Sequence, residues 1–248
     1  MSMPVNQTTR PDVDGRWQRL LGRLWPGRCL ACAEAAPPGR DLCDACFASL
    51  PWNRHACARC AIPLPATPGA ADAPQACGDC LRKPLPVQAT HAAFVYAAPL
   101  DRLLPRFKFH HDLAAGRLLS QLMAQALTDA GRPQALVPVP LHQARLRSRG
   151  YDQALELAKP LARALRLPML PDALRRIRAT APQSELDATR RRRNLRRAFD
   201  TRRDPPLPAH VALVDDVMTT GATLHAAAEA LRRAGVARVD AWVCARVP

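Results

Sequence analysis

Residues 211–224 read VALVDDVMTTGATL, and the order of residue types in this segment indicates the fold class of the chain. The apolar run Val211 to Val214 predicts a buried strand, because short runs of Val, Leu and Ala are typical of strands covered on both faces. Two adjacent carboxylates, Asp215 and Asp216, follow at the end of this strand, and a polar loop leads to a helix over residues 224–233. This order is typical of an α/β domain that binds its ligand at the carboxyl ends of parallel strands.

Apolar patterns on both sides of this stretch predict the other elements of the domain. Strands are expected over His91 to Ala97, Ala135 to Leu141 and Val239 to Ala245, and helices over Asp112 to Ala130 and Asp152 to Leu165. Strands that alternate with helices favour a parallel sheet. We therefore predict an α/β domain with a mostly parallel sheet over residues 87–248.

The loop after the acidic pair has the donors of a phosphate site. Gly221 permits close approach of the backbone, and the hydroxyl groups of Thr219, Thr220 and Thr223 add donors. The N–H groups at the start of the following helix favour an anion. The two carboxylates suit sugar hydroxyls or a Mg²⁺ ion bridging them. The plain alternative is an ordinary strand, loop and helix with a surface acidic pair.

Eight of the nine cysteines form four Cys-x-x-Cys pairs ahead of this domain: Cys29/Cys32, Cys43/Cys46, Cys57/Cys60 and Cys77/Cys80. Two such pairs supply the four thiolates of a tetrahedral zinc site, so eight ligands predict two structural Zn²⁺ ions over residues 29–80. Sequential pairing is the simplest arrangement, and an interleaved one is open. A dithiol redox switch is the alternative, which four successive pairs disfavour. The ninth, Cys244, is expected in the core.

The net charge of +15 favours polyanionic ligands such as nucleic acid or polyphosphates. Residues 1–28 are expected to form a polar tail and a short amphipathic helix from Trp17 to Trp25, without a signal peptide. No apolar run is long enough to cross a membrane. Paired cysteines suited to metal and the lack of a signal peptide predict a cytoplasmic protein without membrane insertion.

The stretch at 211–224 closely resembles the motif by which type I phosphoribosyltransferases bind 5-phosphoribosyl pyrophosphate (PRPP). The resemblance implies that Asp215 and Asp216 contact the 2- and 3-hydroxyls of the ribose and serve as the catalytic pair. It also implies that the loop holds the 5-phosphate through Met218, Thr219, Thr220, Gly221, Ala222 and Thr223.

Two further segments narrow the resemblance. VPVPLHQARLRSRGYDQALELA (137–158) is similar to the segment that ComF-family proteins carry in place of the usual pyrophosphate loop, and RATAPQSELDATRRRRNLRRAF (178–199) is similar to another of their segments. With LLPRFKFHHD (103–112) and the cysteine pairs, the chain is identified as a member of that family. Pyrophosphate or lid contacts are then implied for Lys108, Arg145, Arg147, Arg149, Arg178 and Gln183. For each cation, a solvated surface charge is the alternative.

The resemblance implies two kinds of function. One is a Mg²⁺-dependent phosphoribosyltransferase that acts on PRPP, in a family linked to competence and DNA uptake. The other is a non-catalytic accessory protein that binds single-stranded DNA, acts with a helicase-like competence partner and retains the PRPP site. The arginines at 190–193 would serve DNA, although aromatic residues for base stacking are few.

Overall fold

The computed structural model describes residues 27–65, 75–178, 198–202 and 206–248. The chain divides into two compact units between Ser49 and Leu50. The first unit contains the first two cysteine pairs, and the second contains the other two pairs together with the sheet. The helix predicted at 17–25, Gln183 and the arginines at 190–193 lie outside the described residues.

Seven helices and six strands occur in the described residues. The helices are α1 (Asp44–Ala48), α2 (Gly78–Arg82), α3 (Leu100–Phe109), α4 (Leu113–Ala126), α5 (Gln143–Arg149), α6 (Gln153–Leu165) and α7 (Ala222–Arg233). The strands are β1 (Thr90–Val95), β2 (Ala135–Pro138), β3 (Leu174–Arg176), β4 (Phe199–Thr201), β5 (His210–Met218) and β6 (Arg238–Arg246). Among these helices, none has both the length and the apolar composition needed to span a bilayer.

The central sheet has four strands in the order β1-β6-β5-β2, and all neighbouring strands are parallel. The pair β3 and β4 forms a separate antiparallel ribbon. The predicted fold class, a mostly parallel α/β sheet with a cysteine module before it, is therefore confirmed. Because the strands are parallel, their carboxyl ends meet at one edge, which is where such sheets bind ligands.

Side chains that alternate along the strands bury both faces of the sheet. Helix α7 covers one face, where Leu224 and Leu231 belong to one buried cluster with Leu213 and Val243. Helix α6 packs on β2 and β5 and also contacts α4, to which it is tied by a hydrogen bond from Ser120 Oγ to the Leu157 carbonyl (2.9 Å). Both faces are thus apolar, which explains the continuous hydrophobic runs of these strands.

Capping residues start two of these helices where the sequence predicts. Asp112 accepts the N–H of Ala115 (3.0 Å) at the start of α4, and Asp152 accepts the N–H of Leu155 (3.1 Å) at the start of α6. Such a cap contributes about 1 kcal/mol, because it satisfies an amide that has no partner within the helix.

Strand β5 is longer than predicted, since it runs to Met218 instead of ending at Val214. It continues because β6 pairs with it up to Met218 opposite Arg246. The acidic pair therefore lies inside the strand and is held by the sheet. Strand β2 is shorter than predicted: the N–H of Val139 still donates to the Val214 carbonyl (3.0 Å), but that of Leu141 donates to Asp152 Oδ2 (2.8 Å) instead of to β5. The expected burial of Cys244 is confirmed.

Candidate phosphate site and cysteine tetrads

The acidic pair on β5 is held by its own backbone and by one lysine. Asp215 Oδ1 accepts the N–H of Asp216 (2.8 Å), and Asp216 Oδ1 accepts the N–H of Val217. The Nζ of Lys108 lies 3.0 Å from Asp216 Oδ2. Burial, and then the charge of Asp216, raise the pKa of Asp215 to about 7. A cation or hydroxyl donor beside this pair would therefore stabilise a carboxylate that the protein alone leaves partly protonated at neutral pH.

The loop after β5 is shaped by Gly221, which has the left-handed angles φ +73° and ψ +3°. A Cβ atom at this position would lie 2.5 Å from Met218 Cε and 3.2 Å from the ring of His225. Glycine is required here both for its backbone angle and for the space. It offers no side-chain cap to α7, whose 12 residues start at Ala222. The loop therefore presents a helix N-terminus, with its favourable dipole, to an anion.

A cleft of about 630 Å³ adjoins both features. Four cations line it: Lys108 from α3, Arg145 and Arg149 from α5, and Arg176 from β3. Burial lowers the pKa of Arg145, and the charge of Arg149 lowers it further. Burial also lowers the pKa of Arg176, to which the charge of Arg145 adds. A bound polyanion would relieve the repulsion among these positive charges.

The guanidinium of Arg149 is held in place at the wall of this cleft. Its Nη1 donates to Gln153 Oε1 (3.1 Å), and its Cζ lies 5.3 Å from the centre of the Phe109 ring. Gln153 is only 2% exposed, so it is a fixed acceptor. The first turn of α6 thus orients a cation of α5, which favours binding of an anion in a defined position.

Most of the predicted contact residues line the cleft, and the other described ones lie outside its lining. Those in the cleft lining are Asp215, Asp216, Met218, Thr219, Gly221, Ala222, Thr223, Lys108, Arg145 and Arg149. Thr220 is exposed next to this lining, and its Oγ1 lies 3.5 Å from the N–H of Ala222. Arg147 and Arg178 are exposed and do not line the cleft. Arg147 lies two residues from both Arg145 and Arg149, so it faces the other side of α5.

Sequence reasoning did not assign Arg176 and Asp152 to this site. Asp152 Oδ2 accepts the N–H of Leu141 (2.8 Å), so this carboxylate joins the loop after β2 to α6, and burial raises its pKa. Its helix-cap position was visible in the sequence, but its place in the lining was not. Arg176 comes from a strand of three residues, for which the sequence carries no periodic signal.

The eight paired cysteines form two tetrads in sequential order. In Cys29, Cys32, Cys43 and Cys46, and again in Cys57, Cys60, Cys77 and Cys80, the four sulfur atoms lie within 4.8 Å of one another. The Sγ atoms of Cys32 and Cys43 are 3.7 Å apart, as are those of Cys60 and Cys77. Four thiolates around one zinc, at the usual Zn–S length, would be about 3.8 Å apart. The tetrads therefore fit one structural zinc ion each.

Backbone amides prepare some of these sulfur atoms for metal. Burial alone would raise the pKa of Cys57, but N–H groups, including that of Cys77 at 3.2 Å, outweigh it and lower the pKa to about 7. The pKa of Cys29 is lowered in the same way, against its burial, to about 6. Because zinc binds the thiolate, one sulfur in each tetrad is shifted toward the form that a metal requires, whereas burial and neighbouring cysteines raise the pKa values of Cys46, Cys60 and Cys80.

Comparison with known proteins gives two family matches. Residues 20–81 match the double zinc ribbon domain, and residues 152–248 match the phosphoribosyl transferase domain. Competence protein F of Haemophilus influenzae is 38% identical over 181 residues, which cover 69% of this chain and 79% of that protein. DNA utilization protein YhgH of Escherichia coli K12 is 35% identical over 227 residues, covering 89% and 90%. Competence protein ComFC of Bacillus subtilis is 30% identical over 171 residues, covering 65% and 68%.

Proposed function

Since the chain belongs to the ComF family, we propose that its cleft binds PRPP together with Mg²⁺. One observation carries this proposal: a single space of about 630 Å³ is lined by an acidic pair, a helix N-terminus and four cations. The acidic pair can accept hydrogen bonds from ribose hydroxyls, the helix N-terminus can bind a 5-phosphate, and the cations can bind a pyrophosphate.

Each part of PRPP has a matching group in the cleft. The loop from Met218 to Thr223 holds the 5-phosphate, because its helix N-terminus and hydroxyls donate hydrogen bonds to an anion. The carboxylates of Asp215 and Asp216 accept hydrogen bonds from the ribose hydroxyls. The pyrophosphate lies toward the cations of α3, α5 and β3. Arg178 and Gln183 are proposed to belong to a lid over the ligand.

A Mg²⁺ ion suits the donor set at the acidic pair. Carboxylate oxygens are ligands that Mg²⁺ prefers, and it usually shares them with substrate phosphates. Asp215 and Asp216 would hold it, in competition with the ion pair between Lys108 and Asp216. When bound, the ion supplies positive charge that neutralises the pyrophosphate.

The same residues can support transfer of the phosphoribosyl group. In that reaction the bond between the ribose C1 and the pyrophosphate oxygen breaks, and the electron pair leaves with pyrophosphate. Arg145, Arg149 and Arg176 stabilise the charge that develops on the leaving group. Asp215 and Asp216 stabilise the cationic sugar on the other side. The nucleophile then forms the new bond to C1.

The two tetrads are proposed to hold structural zinc. Small modules of this kind depend on metal for their folding, because their apolar core is small. No cysteine of either tetrad lines the cleft, so we assign them no part in the chemistry. The sulfur ligands are thiolates and require reducing conditions, which supports the cytoplasm as the proposed compartment.

Calorimetric titration of the zinc-loaded protein with PRPP and Mg²⁺ tests this proposal. Asp216→Asn should weaken binding by about tenfold or more, because one charge-assisted hydrogen bond contributes roughly 1.5–3 kcal/mol. Asp101→Asn, which changes an exposed carboxylate of α3, is the matched control and should bind as the parent does. Normal affinity in the Asp216 variant, or no binding by the parent, would contradict the assignment.

A second function, binding of single-stranded DNA, is favoured by the names of the relatives and by the net charge of +15. Fluorescence anisotropy of a labelled oligonucleotide at several salt concentrations measures it. Neutralising the arginines at 190–193 should lower both affinity and its dependence on salt, since each phosphate contact releases counterions. Asp216→Asn should leave DNA affinity unchanged. Affinity that is independent of salt would refute this function. A helicase-like partner stays a prediction.

A further inference from the structure

Arg246, the last residue of β6, is a buried cation whose Nε and Nη1 donate to backbone carbonyls. The residue is 9% exposed, and its Nε donates to the carbonyl of Cys60 (3.0 Å). Its Nη1 donates to the carbonyls of Met218 (3.4 Å) and Val247. No carboxylate of the described residues forms a salt bridge with it. One guanidinium therefore joins a cysteine of the second tetrad to the end of β5.

The tetrad side of this link is a rigid knuckle. Next to Cys60, the carbonyls of Ala58 and Arg59 accept hydrogen bonds from the N–H (3.0 Å) and Oγ1 (2.8 Å) of Thr90 in β1. Ala61 follows and is 1% exposed in the core of the second unit. The knuckle thus lies directly on the sheet, and the metal expected there would fix it from its other side.

The cleft side of the link is Met218, from which the phosphate loop starts. Its carbonyl accepts the N–H of Val247 (3.0 Å) as well as the guanidinium of Arg246. Its methyl group occupies the space beside Gly221, 2.5 Å from where a Cβ would be. The side chain is buried at 2% exposure. Any shift of Met218 therefore reaches Gly221 and the start of α7.

We propose that Arg246 is a positioning residue that couples metal binding at the second tetrad (Cys57, Cys60, Cys77, Cys80) to ligand binding at the phosphate loop. Loss of that metal frees the knuckle, and the Cys60 carbonyl no longer anchors the guanidinium. The guanidinium is then less fixed, and the carbonyl of Met218 loses one of its two donors while it keeps the N–H of Val247. This inference rests on the proposed function, because it concerns the same PRPP site.

The positive charge of Arg246, like its hydrogen bonds, favours binding of an anion at the phosphate loop. A buried cation without a carboxylate partner among the described residues is screened less than an exposed one. It lies behind the end of the strand that delivers the loop, so its field favours an anion there. Thermodynamic linkage is reciprocal: if the metal improves PRPP binding, PRPP must equally improve retention of the metal.

Zinc release into a chromogenic zinc chelator measures this linkage without any catalytic assay. The background is Cys46→Ser, which leaves only the second tetrad complete, and Cys80→Ser, which leaves only the first, is its matched control. With PRPP and Mg²⁺ at saturation, we expect zinc release from the second tetrad to slow by about fivefold, the lower end of typical site-to-site coupling, and release from the first to be unchanged.

Arg246→Met in the Cys46→Ser background then tests the residue itself. It should retain one zinc per chain, bind PRPP at least fivefold more weakly, and lose the effect of PRPP on zinc release. Arg246→Lys keeps the charge but has one terminal nitrogen, so it should recover part of the affinity and none of the linkage. If the methionine variant does not fold, the lysine variant decides the question by the same measurement.

Two results would overturn the inference. One is that PRPP slows zinc release as much in the Arg246 variants as in their parent. The other is that PRPP slows zinc release equally at both tetrads. In either case the proposed function stands, because PRPP still binds. A parent protein that does not bind PRPP in the calorimetric titration refutes the proposed function itself, and the inference falls with it.

Discussion

Replacement of Gly221 by alanine tests the phosphate loop through a change of one methyl group. Alanine in the left-handed region costs about 1–2 kcal/mol. The new Cβ would also lie 2.5 Å from Met218 Cε, so the methionine methyl must move. Met218 is 2% exposed and has little free space, and overpacking of this kind costs about 1–3 kcal/mol. We expect the free energy of unfolding to fall by about 3 kcal/mol in total.

The same displacement should weaken PRPP binding, because the amides at the start of α7 move away from the 5-phosphate. We expect at least tenfold lower affinity by calorimetry, and a melting temperature lower by roughly 6–12 °C by circular dichroism. Gly235→Ala is the control: its φ is +97°, and nothing lies within 4 Å of the added Cβ. It should show backbone strain alone and normal PRPP affinity. If Gly221→Ala matched this control in both measurements, the packing argument would be wrong.

Three further outcomes are expected. Burial and Asp216 raise the pKa of Asp215 to about 7, which favours the neutral carboxyl. The contribution of this group to the free energy of unfolding is therefore greatest at low pH and is lost as pH rises through 7. The affinity for PRPP·Mg²⁺ should rise about tenfold from pH 6 to pH 8, because the carboxylate form binds the ligand. Asp215→Asn should flatten this affinity profile after the ligand's own titration is subtracted. Arg145→Gln should weaken calorimetric binding of pyrophosphate about tenfold, whereas Arg147→Gln should not, and equal effects would remove the distinction between the two sides of α5. Native mass spectrometry should find two zinc ions per chain, and a chelator that removes both should lower the melting temperature; a protein equally stable without metal would refute the structural role.

Local signals in the sequence were sufficient for much of the fold. The strands have continuous apolar runs, and Asp112 and Asp152 mark helix starts through their own side chains. The cysteine tetrads follow the spacing of their pairs, and the structure selects the sequential arrangement that the spacing left open. Each of these features depends on residues that are neighbours in the chain, which is why it could be predicted.

The other features depend on contacts between distant residues. Arg246 reaches Cys60, 186 positions earlier, and nothing in the sequence around either residue indicates that contact. Arg176 lies in the cleft only because β3 pairs with β4 across a long segment. The extension of β5 to include the acidic pair depends on its register with β6. Tertiary pairing decided these features, and local propensity carried no information about it.

The cleft combines groups that a protein without a ligand would keep apart. Burial, and then the charge of a neighbouring arginine, lower the pKa values of Arg145 and Arg176, while burial and the charge of Asp216 raise the pKa of Asp215. Neither the repulsion among the arginines nor that between the aspartates stabilises the folded protein, and a bound ligand would relieve both. A polyanion alone would relieve the arginines and repel the aspartates, and a divalent cation alone would do the reverse. A phosphorylated sugar with a pyrophosphate group and a bound divalent cation carries both charges at once, and its hydroxyls supply donors to the carboxylates. The distribution of charge in the cleft is therefore a stronger argument for PRPP with Mg²⁺ than for a simple phosphate.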